Sequence, residues 1–519
     1  MLSTLLLLRN KIEPEQRIEP PQIEVPQVRP KGEVTPRQEP PKPVLEPPMK
    51  KIEEITSPPA QEKTPVVPSG SNKNPKEAPN LPGAKDHPIL RLSDEELMNT
   101  PVDKLMAPYG ESDGGGSCFQ DFGNTLSNRW RDTKKTYCAH SGPNAPSQLQ
   151  SQIDCYLVHQ TRHHGNGDNL CKMENVALDL AIFADEGFTK KVIEEYVNTR
   201  HMKQPYPPFP KGFLQADCRP EPNYWQTNYM PGWNADLTTK ALDVIPVSAS
   251  NRDEICSEWI EDRTVMLAER DTFANFFHDS EDFVNMFLAL SILQVKPKDL
   301  QVFLMDLYPK GPFWEMWSEV YSHHHQTLTA WDLKQKFANS RGSGQKKKYI
   351  CFKSLAVGIY GPAAPITVAS WDTNCHRTAL VRAYSDFVIR SLHLHQFSHY
   401  ALPSPSKTIT ITYMSRRPSA QWPERKYCDD QNSFFKCHYW ENFGPRHLGR
   451  MVTNDNEVVD ALKRLETQTD FLDELPVGTK IKFQAVDFNV LSFKEQIQID
   501  LETDILIGPR KFLLTLFIS

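Results

Sequence analysis

The sequence predicts an α/β protein behind a proline-rich amino-terminal stretch, and three observations carry that expectation. Residues 481–508, IKFQAVDFNVLSFKEQIQIDLETDILIG, have the strand, helix, strand order of a nucleotide-binding half-domain. Between 264 and 394, short apolar runs alternate with helical patterns, as they do where helices pack on a sheet. Before Leu90 stand 19 of the 43 prolines, and no Phe, Trp or Tyr precedes Tyr109, so this part cannot bury enough apolar surface to offset the entropy of ordering it.

In the carboxyl-terminal stretch, 481–487 reads as a strand. Residues 493–501 place Phe493, Ile497 and Leu501 at i, i+4 and i+8, the apolar stripe of a helix lying on a sheet. The run 505–507, closed by Gly508, suits a strand buried on both faces of a parallel sheet. Ligands of such sheets sit at the carboxyl ends of the strands, which puts Gly508 beside a ligand.

Taken from the start, residues 1–12 fall short of the run of about 20 apolar residues that spans a bilayer. They read either as the remnant of a signal anchor or as a short apolar start. Residues 13–108 read as a disordered, semi-rigid proline-rich stem or linker, within which Ser93 is a candidate N-cap of a short helix. Asp113-Gly-Gly-Gly-Ser117 matches no phosphate-binding glycine pattern and reads as a loop. Residues 204–233 form a proline- and aromatic-rich loop whose rings either line a groove or pin the loop to the domain. Strands are expected at 176–183, 264–267, 301–306, 348–358 and 407–413. Helices are expected within 269–293, around Trp314, Trp317 and Val320, and over 378–394 and 456–465.

A net charge of -6 and a pI near 6.3, with Lys346 to Lys348 the only basic block, argue against an electrostatic nucleic-acid binder. The ten cysteines form no C-x-x-C pair, and their even number fits disulfides in an oxidising compartment or, alternatively, buried free thiols. Cys428 and Cys437 are candidates for a local bridge. The absence of any N-x-S/T acceptor sequence pulls against secretion. His323, His324 and His325 are adjacent, so they cannot all face one metal ion in regular structure, and they read as a solvated loop.

An ordered series of segments resembles glycosyltransferase family 61, and within it the branch that adds O-GlcNAc to EGF domains. Glu269-Arg-Asp-Thr-Phe-Ala-Asn-Phe-Phe-His278 with Asp282-Phe-Val-Asn285 is similar to that family's E-R-x-x-x-A-N-x-x-H and following D-x-x-N. Cys351-Phe-Lys353, Arg382-Ala383, Arg416, Arg450-Met-Val-Thr-Asn454-Asp-Asn456-Glu457 and Thr503-Asp504-Ile-Leu-Ile-Gly508 resemble later family segments. The resemblance implies a GT-B-like architecture, with an acceptor-side α/β domain over 109–340 and a nucleotide-sugar domain over 341–519. It also implies an inverting enzyme that uses a UDP-sugar, transfers GlcNAc to Ser or Thr of a protein acceptor, and resides in the endoplasmic reticulum or Golgi lumen, membrane-bound only through an amino-terminal anchor. After Gly508 the family continues with a segment like H-G-A-G-L-T-H, whereas Pro509-Arg-Lys-Phe512 stands here. The resemblance therefore implies an incomplete nucleotide domain. The alternatives are an inactive or shortened family member, or a xylosyltransferase acting on glycan.

Inverting transfer needs a base for the acceptor proton and positive charge for the leaving diphosphate. His278, Asp279 and Asp282, at the start of a helix, are the candidate catalytic groups, though acids there also complement the helix dipole. Arg377, Arg382, Arg416 and Arg450 are candidate diphosphate contacts, because a guanidinium fork matches phosphate oxygens. Asn454 and Gly508 join them at the donor. No D-x-D donor-metal site is evident, so no metal ligand is assigned, and a divalent metal stays open as a cofactor without support from the sequence.

Overall fold

The computed structural model describes residues 87–111, 113–114, 122–139, 150–158, 168–198, 206–207, 209–224, 237–244, 255–273, 275–340, 349–358, 365, 375–397, 408–415, 454–468, 475, 478–488 and 491–508. Among them are two short helices, α1 (Asp94–Asn99) and α2 (Val102–Met106), then strands β1 (Lys135–Ala139), β2 (Gln152–Val158), β3 (Asp168–Asp179) and β4 (Cys256–Ala268). Helix α3 (Phe276–Leu293), strands β5 (Leu300–Leu304) and β6 (Leu328–Thr329), helix α4 (Ala330–Ser340), strand β7 (Tyr349–Val357) and helix α5 (Ala379–Ser391) follow. The chain then passes through β8 (Thr408–Ser415), α6 (Asp455–Lys463), β9 (Lys480–Asp487), α7 (Phe493–Leu501) and β10 (Ile505–Ile507).

One mixed sheet of ten strands has the path β6-β5-β4-β7-β3-β2-β1, prolonged by Arg219–Pro220. Strands β6, β5, β4 and β7 run parallel, and β3 is antiparallel to β7. Since β4 leads to β5 on one side while β7 lies on its other side, strand order reverses between β4 and β7. That is where open α/β sheets hold ligands. Alternation along β4 divides the core: Met266 and Ala268 pack with α3 and α5, while Val265 and Leu267 pack with Leu333 and Phe337 of α4. Helix α3 is buried nearly all round, polar in its first turns and apolar beyond them, because it is covered by the sheet on one side and by α5 and α7 on others.

A second, three-stranded sheet has the order β9-β8-β10, all parallel. Its elements match the expected strands and helix at 481–487, 493–501 and 505–507 to within a residue. Ser492 caps α7 through a reciprocal box with Glu495. Met414, Phe488, Phe493, Ile497 and Leu501 join the same core as α3 and α5, so the small sheet is bonded into the helical layer of the large one. The strand β7, on the far side of the boundary expected at 340/341, lies inside the large sheet between β4 and β3.

Several sequence expectations need correction. The run 505–507, expected to be buried on both faces, forms a strand with Ile505 40% exposed, because β10 has only β8 beside it among the described residues. The loop expected over 204–233 contains the strands Leu214–Ala216 and Arg219–Pro220 of the large sheet, and Asp113–Gly114 pairs as a short strand. Residues 87–108, assigned to the disordered stem for want of aromatics, are folded. Leu97, Val102, Leu105 and Met106 supply the apolar surface instead, Ser93 caps α1 in a capping box with Glu96, and His87 and Tyr109 both bond the buried carboxylate of Asp386 on α5. The strand expected at 176–183 ends at Asp179 and continues as a 3₁₀ turn, Leu180–Ala184. Its apolar residues are buried in both conformations, so burial alone could not separate them.

Three disulfides lie among the described residues, Cys138–Cys218, Cys155–Cys171 and Cys256–Cys351, the last tying β4 to β7. Cys428 and Cys437 lie outside the described residues. No helix among the described residues is long and apolar enough to cross a membrane.

Asp500, on the core side of α7, is 2% exposed, and neither of its carboxylate oxygens has a partner among the described residues. Burial pushes its pKa up to about 7. A carboxyl group whose folded pKa lies above the unfolded value stabilises most at low pH and loses that contribution as pH rises from about 4 through 7. Asp500→Asn is expected to gain about 2 kcal/mol at pH 7 and to flatten this slope. Urea denaturation at pH 4, 5.5 and 7 reads both, and equal gains at all three would contradict the assignment.

Candidate active site at the carboxyl ends of the two sheets

Where β4 leaves the large sheet, Arg270 turns inward and is 2% exposed. A guanidinium so buried needs every donor satisfied, and it is. Nη2 donates to Asp306 Oδ1 at 2.7 Å and to the carbonyl of Tyr308 at 3.1 Å, and Nε donates to Asp306 Oδ2 at 3.1 Å. Nη1 donates to the carbonyls of Pro309 and Lys310 at 2.9 and 3.0 Å. Asp306 follows β5, so this pair joins the loops at the ends of two adjacent parallel strands. Tyr206 donates its hydroxyl proton to the Arg270 carbonyl at 2.7 Å, which settles the alternative for that ring of the aromatic loop: it pins the loop down.

The second join is steric. Gly311 has φ +80°, and a Cβ there would stand 2.1 Å from the carbonyl oxygen of Phe273. Only glycine lets the two loops approach this closely.

Residues 271–273 are then stitched to the first turns of α3. Asp279 accepts from the Thr272 hydroxyl at 3.1 Å, and Asp282 accepts from the Asp271 amide at 3.0 Å. Both acids are almost fully buried; burial raises Asp279 to about 7 and Asp282 well above the usual carboxylate range. They hold backbone and loop, and neither is open to a substrate.

What the stitching presents to solvent is His278. Its Nδ1 lies 2.9 Å from Asp271 Oδ2 and 3.2 Å from Glu281 Oε2, and its side chain is 39% exposed. Hydrogen bonds to Asp271 first and Glu281 second push the imidazole pKa up to about 10. That shift favours the protonated ring at neutral pH and brings the adjoining carboxylates of Asp271 and Glu281 forward as further candidates for the base. Asp271 is the more reachable, with 12% of its side chain exposed against 2% for Glu281. Sequence reading missed Asp271, Glu281, Arg270 and Asp306. The i, i+3 spacing of His278 and Glu281 was the available signal for one of them.

The small sheet brings its own carboxyl end to the same place. Phe276 at the start of α3, Phe313 after β5 and Phe493 at the start of α7 form a three-ring cluster with centroids 5.4 to 5.9 Å apart. Gly508 lies just past β10, where a Cβ would press on Met414 of β8 at 3.3 Å. Asp455, at the start of α6, accepts from Tyr413 and Ser415 hydroxyls at 2.9 Å and fixes the end of β8. Asn454 is exposed and donates to Glu457 at 3.3 Å. Arg382 holds its guanidinium 5.5 Å from the centre of the Tyr109 ring. Arg377 sits on a short strand paired with Asp113 and Gly114, and Arg416 and Arg450 lie outside the described residues.

Comparison with known proteins gives two relatives of one kind. The chain is 23% identical over 290 residues to the EGF domain-specific O-linked N-acetylglucosamine transferase of Drosophila melanogaster, a match covering 54% of this chain and 42% of that protein. It is 24% identical over 306 residues to the Gallus gallus protein of the same description, covering 57% and 44%. The chain thus matches less than half the length of these curated relatives, and it is related to glycosyltransferases. No family model matches it.

Proposed function

We propose that the chain is an inverting, UDP-sugar-dependent glycosyltransferase that transfers GlcNAc to Ser or Thr of EGF-domain proteins in the lumen of the endoplasmic reticulum or Golgi. Its two sheets correspond to the two halves of a GT-B architecture. The observation that carries the reading is the joining of the two sheets through Phe276, Phe313 and Phe493, which packs the loop after β5 and the start of α7 against the turn of α3 that carries His278.

In this reading the UDP-sugar lies against the ends of β8 and β10. Arg416 and Arg450 offset the charge of the leaving diphosphate, and Asn454 contributes polar contacts. Asp271 takes the acceptor hydroxyl proton as the oxygen attacks the anomeric carbon and UDP departs from the opposite face. His278 positions the Asp271 carboxylate, its Nδ1 standing 2.9 Å from Asp271 Oδ2. The three disulfides support an oxidising compartment.

Asp271→Asn is expected to lower transfer from UDP-GlcNAc to a folded EGF domain by about 10²–10⁴-fold while leaving UDP affinity within twofold or so. Radiolabel transfer and calorimetry with UDP measure the two quantities separately. Transfer at the unaltered rate by the Asp271→Asn variant removes Asp271 from the chemistry, and absence of UDP binding by the parent chain removes the enzyme reading.

A further inference from the structure

The arrangement around His278 is over-supplied with oxygen. A single Nδ1–H can point along one hydrogen bond, yet carboxylate oxygens of Asp271 and Glu281 stand at 2.9 and 3.2 Å from that nitrogen. The three ligand atoms all lie within 4.8 Å of one another. Asp279 and Asp282 are buried in the same turns, and Arg270 is committed to Asp306.

We propose that Asp271, His278 and Glu281 form a binding site for one divalent transition-metal ion, with Mn²⁺ or Zn²⁺ suited to one imidazole nitrogen and two carboxylate oxygens. Ligand atoms about 2.0–2.2 Å from such an ion stand roughly 3 Å or slightly more apart, so the present spacing needs only small adjustment. The side chains are already held in place before any ion arrives. His278 and Glu281 are one turn apart on α3, and the Asp271 backbone is fixed by Asp282 through its amide and by Tyr308, whose hydroxyl donates to its carbonyl at 3.0 Å. Partial exposure of His278 leaves a side open for solvent or an acceptor oxygen to complete the coordination.

This inference deepens the proposed function but is tested without it, because metal binding is read in the absence of any sugar. Mn²⁺ titration of the full chain, followed by electron paramagnetic resonance, is expected to show one tight site. His278→Ala and the near-isosteric Glu281→Gln should each weaken it by about tenfold or more, since loss of outer partners alone costs 10–100-fold. His324→Ala, in the exposed histidine run, should leave it unchanged. Circular dichroism establishes that each variant is folded, and Glu281→Gln keeps the test valid if His278→Ala is not. Loss of the site in His324→Ala with retention in Glu281→Gln, or no Mn²⁺ bound by the parent chain, overturns the proposal.

Discussion

Gly311→Ala is expected to cost at least about 4 kcal/mol, at the upper end for single substitutions. Two penalties combine at this position. A side chain at φ +80° is strained by itself, and the added carbon would overlap the Phe273 carbonyl oxygen, an atom with no flexible end to swing away. The relief is for the loops 271–273 and 305–313 to separate, which would also pull Tyr308 from the Asp271 carbonyl. Urea denaturation should therefore show a lowered midpoint, and the residual folded protein should have lost Mn²⁺ affinity as well. A midpoint within experimental error of the parent's would show that the loops are not in contact.

The second large effect is expected at the buried pair of Arg270 and Asp306. Arg270→Met leaves a carboxylate 0% exposed at its side chain without its cation, and should destabilise by about 3–5 kcal/mol. Arg270→Met combined with Asp306→Leu removes both charges, and most of that loss should return, although the carbonyls of Tyr308, Pro309 and Lys310 are left without their donor. Chemical denaturation of the four proteins in this cycle gives the coupling directly. Equal loss in the single and double variants would mean that the guanidinium serves the three carbonyls more than the carboxylate.

Sequence patterning could locate much of this fold because period and position agree with burial. Helix α7 was legible from Phe493, Ile497 and Leu501, and all three are buried. Short apolar strands such as β5 were equally clear. Ser93 marked the start of α1 in the sequence, but the burial of 87–108 was missed because proline content and the lack of aromatic rings dominated the reading, whereas a few Leu, Met and Val side chains sufficed once α5 supplied a surface to pack on. The site was legible by address more than by role. The 269–282 segment stood out, but His278, Asp279 and Asp282 have different surroundings: the first is held as an exposed cation, while the others are consumed by Thr272 and the Asp271 amide. Which acid faces inward depends on the loop from β5, more than twenty residues away in the chain, and local spacing carries no information about it.

The pairing of β3 with β7 bears on how the chain is made. Val176 sits opposite Phe352, so at a synthesis rate of 5–20 residues per second the edge of β3 waits roughly 10–35 s for its partner to leave the ribosome. Throughout that interval β1, β2 and β3 can form a meander, but one long strand keeps an unpaired row of amides and carbonyls, and the second thiol of the Cys256–Cys351 bridge does not yet exist. Nascent chains halted between residues 180 and 345 should accordingly be the aggregation-prone lengths, and those that extend past 357 should be the first to resist protease across β3.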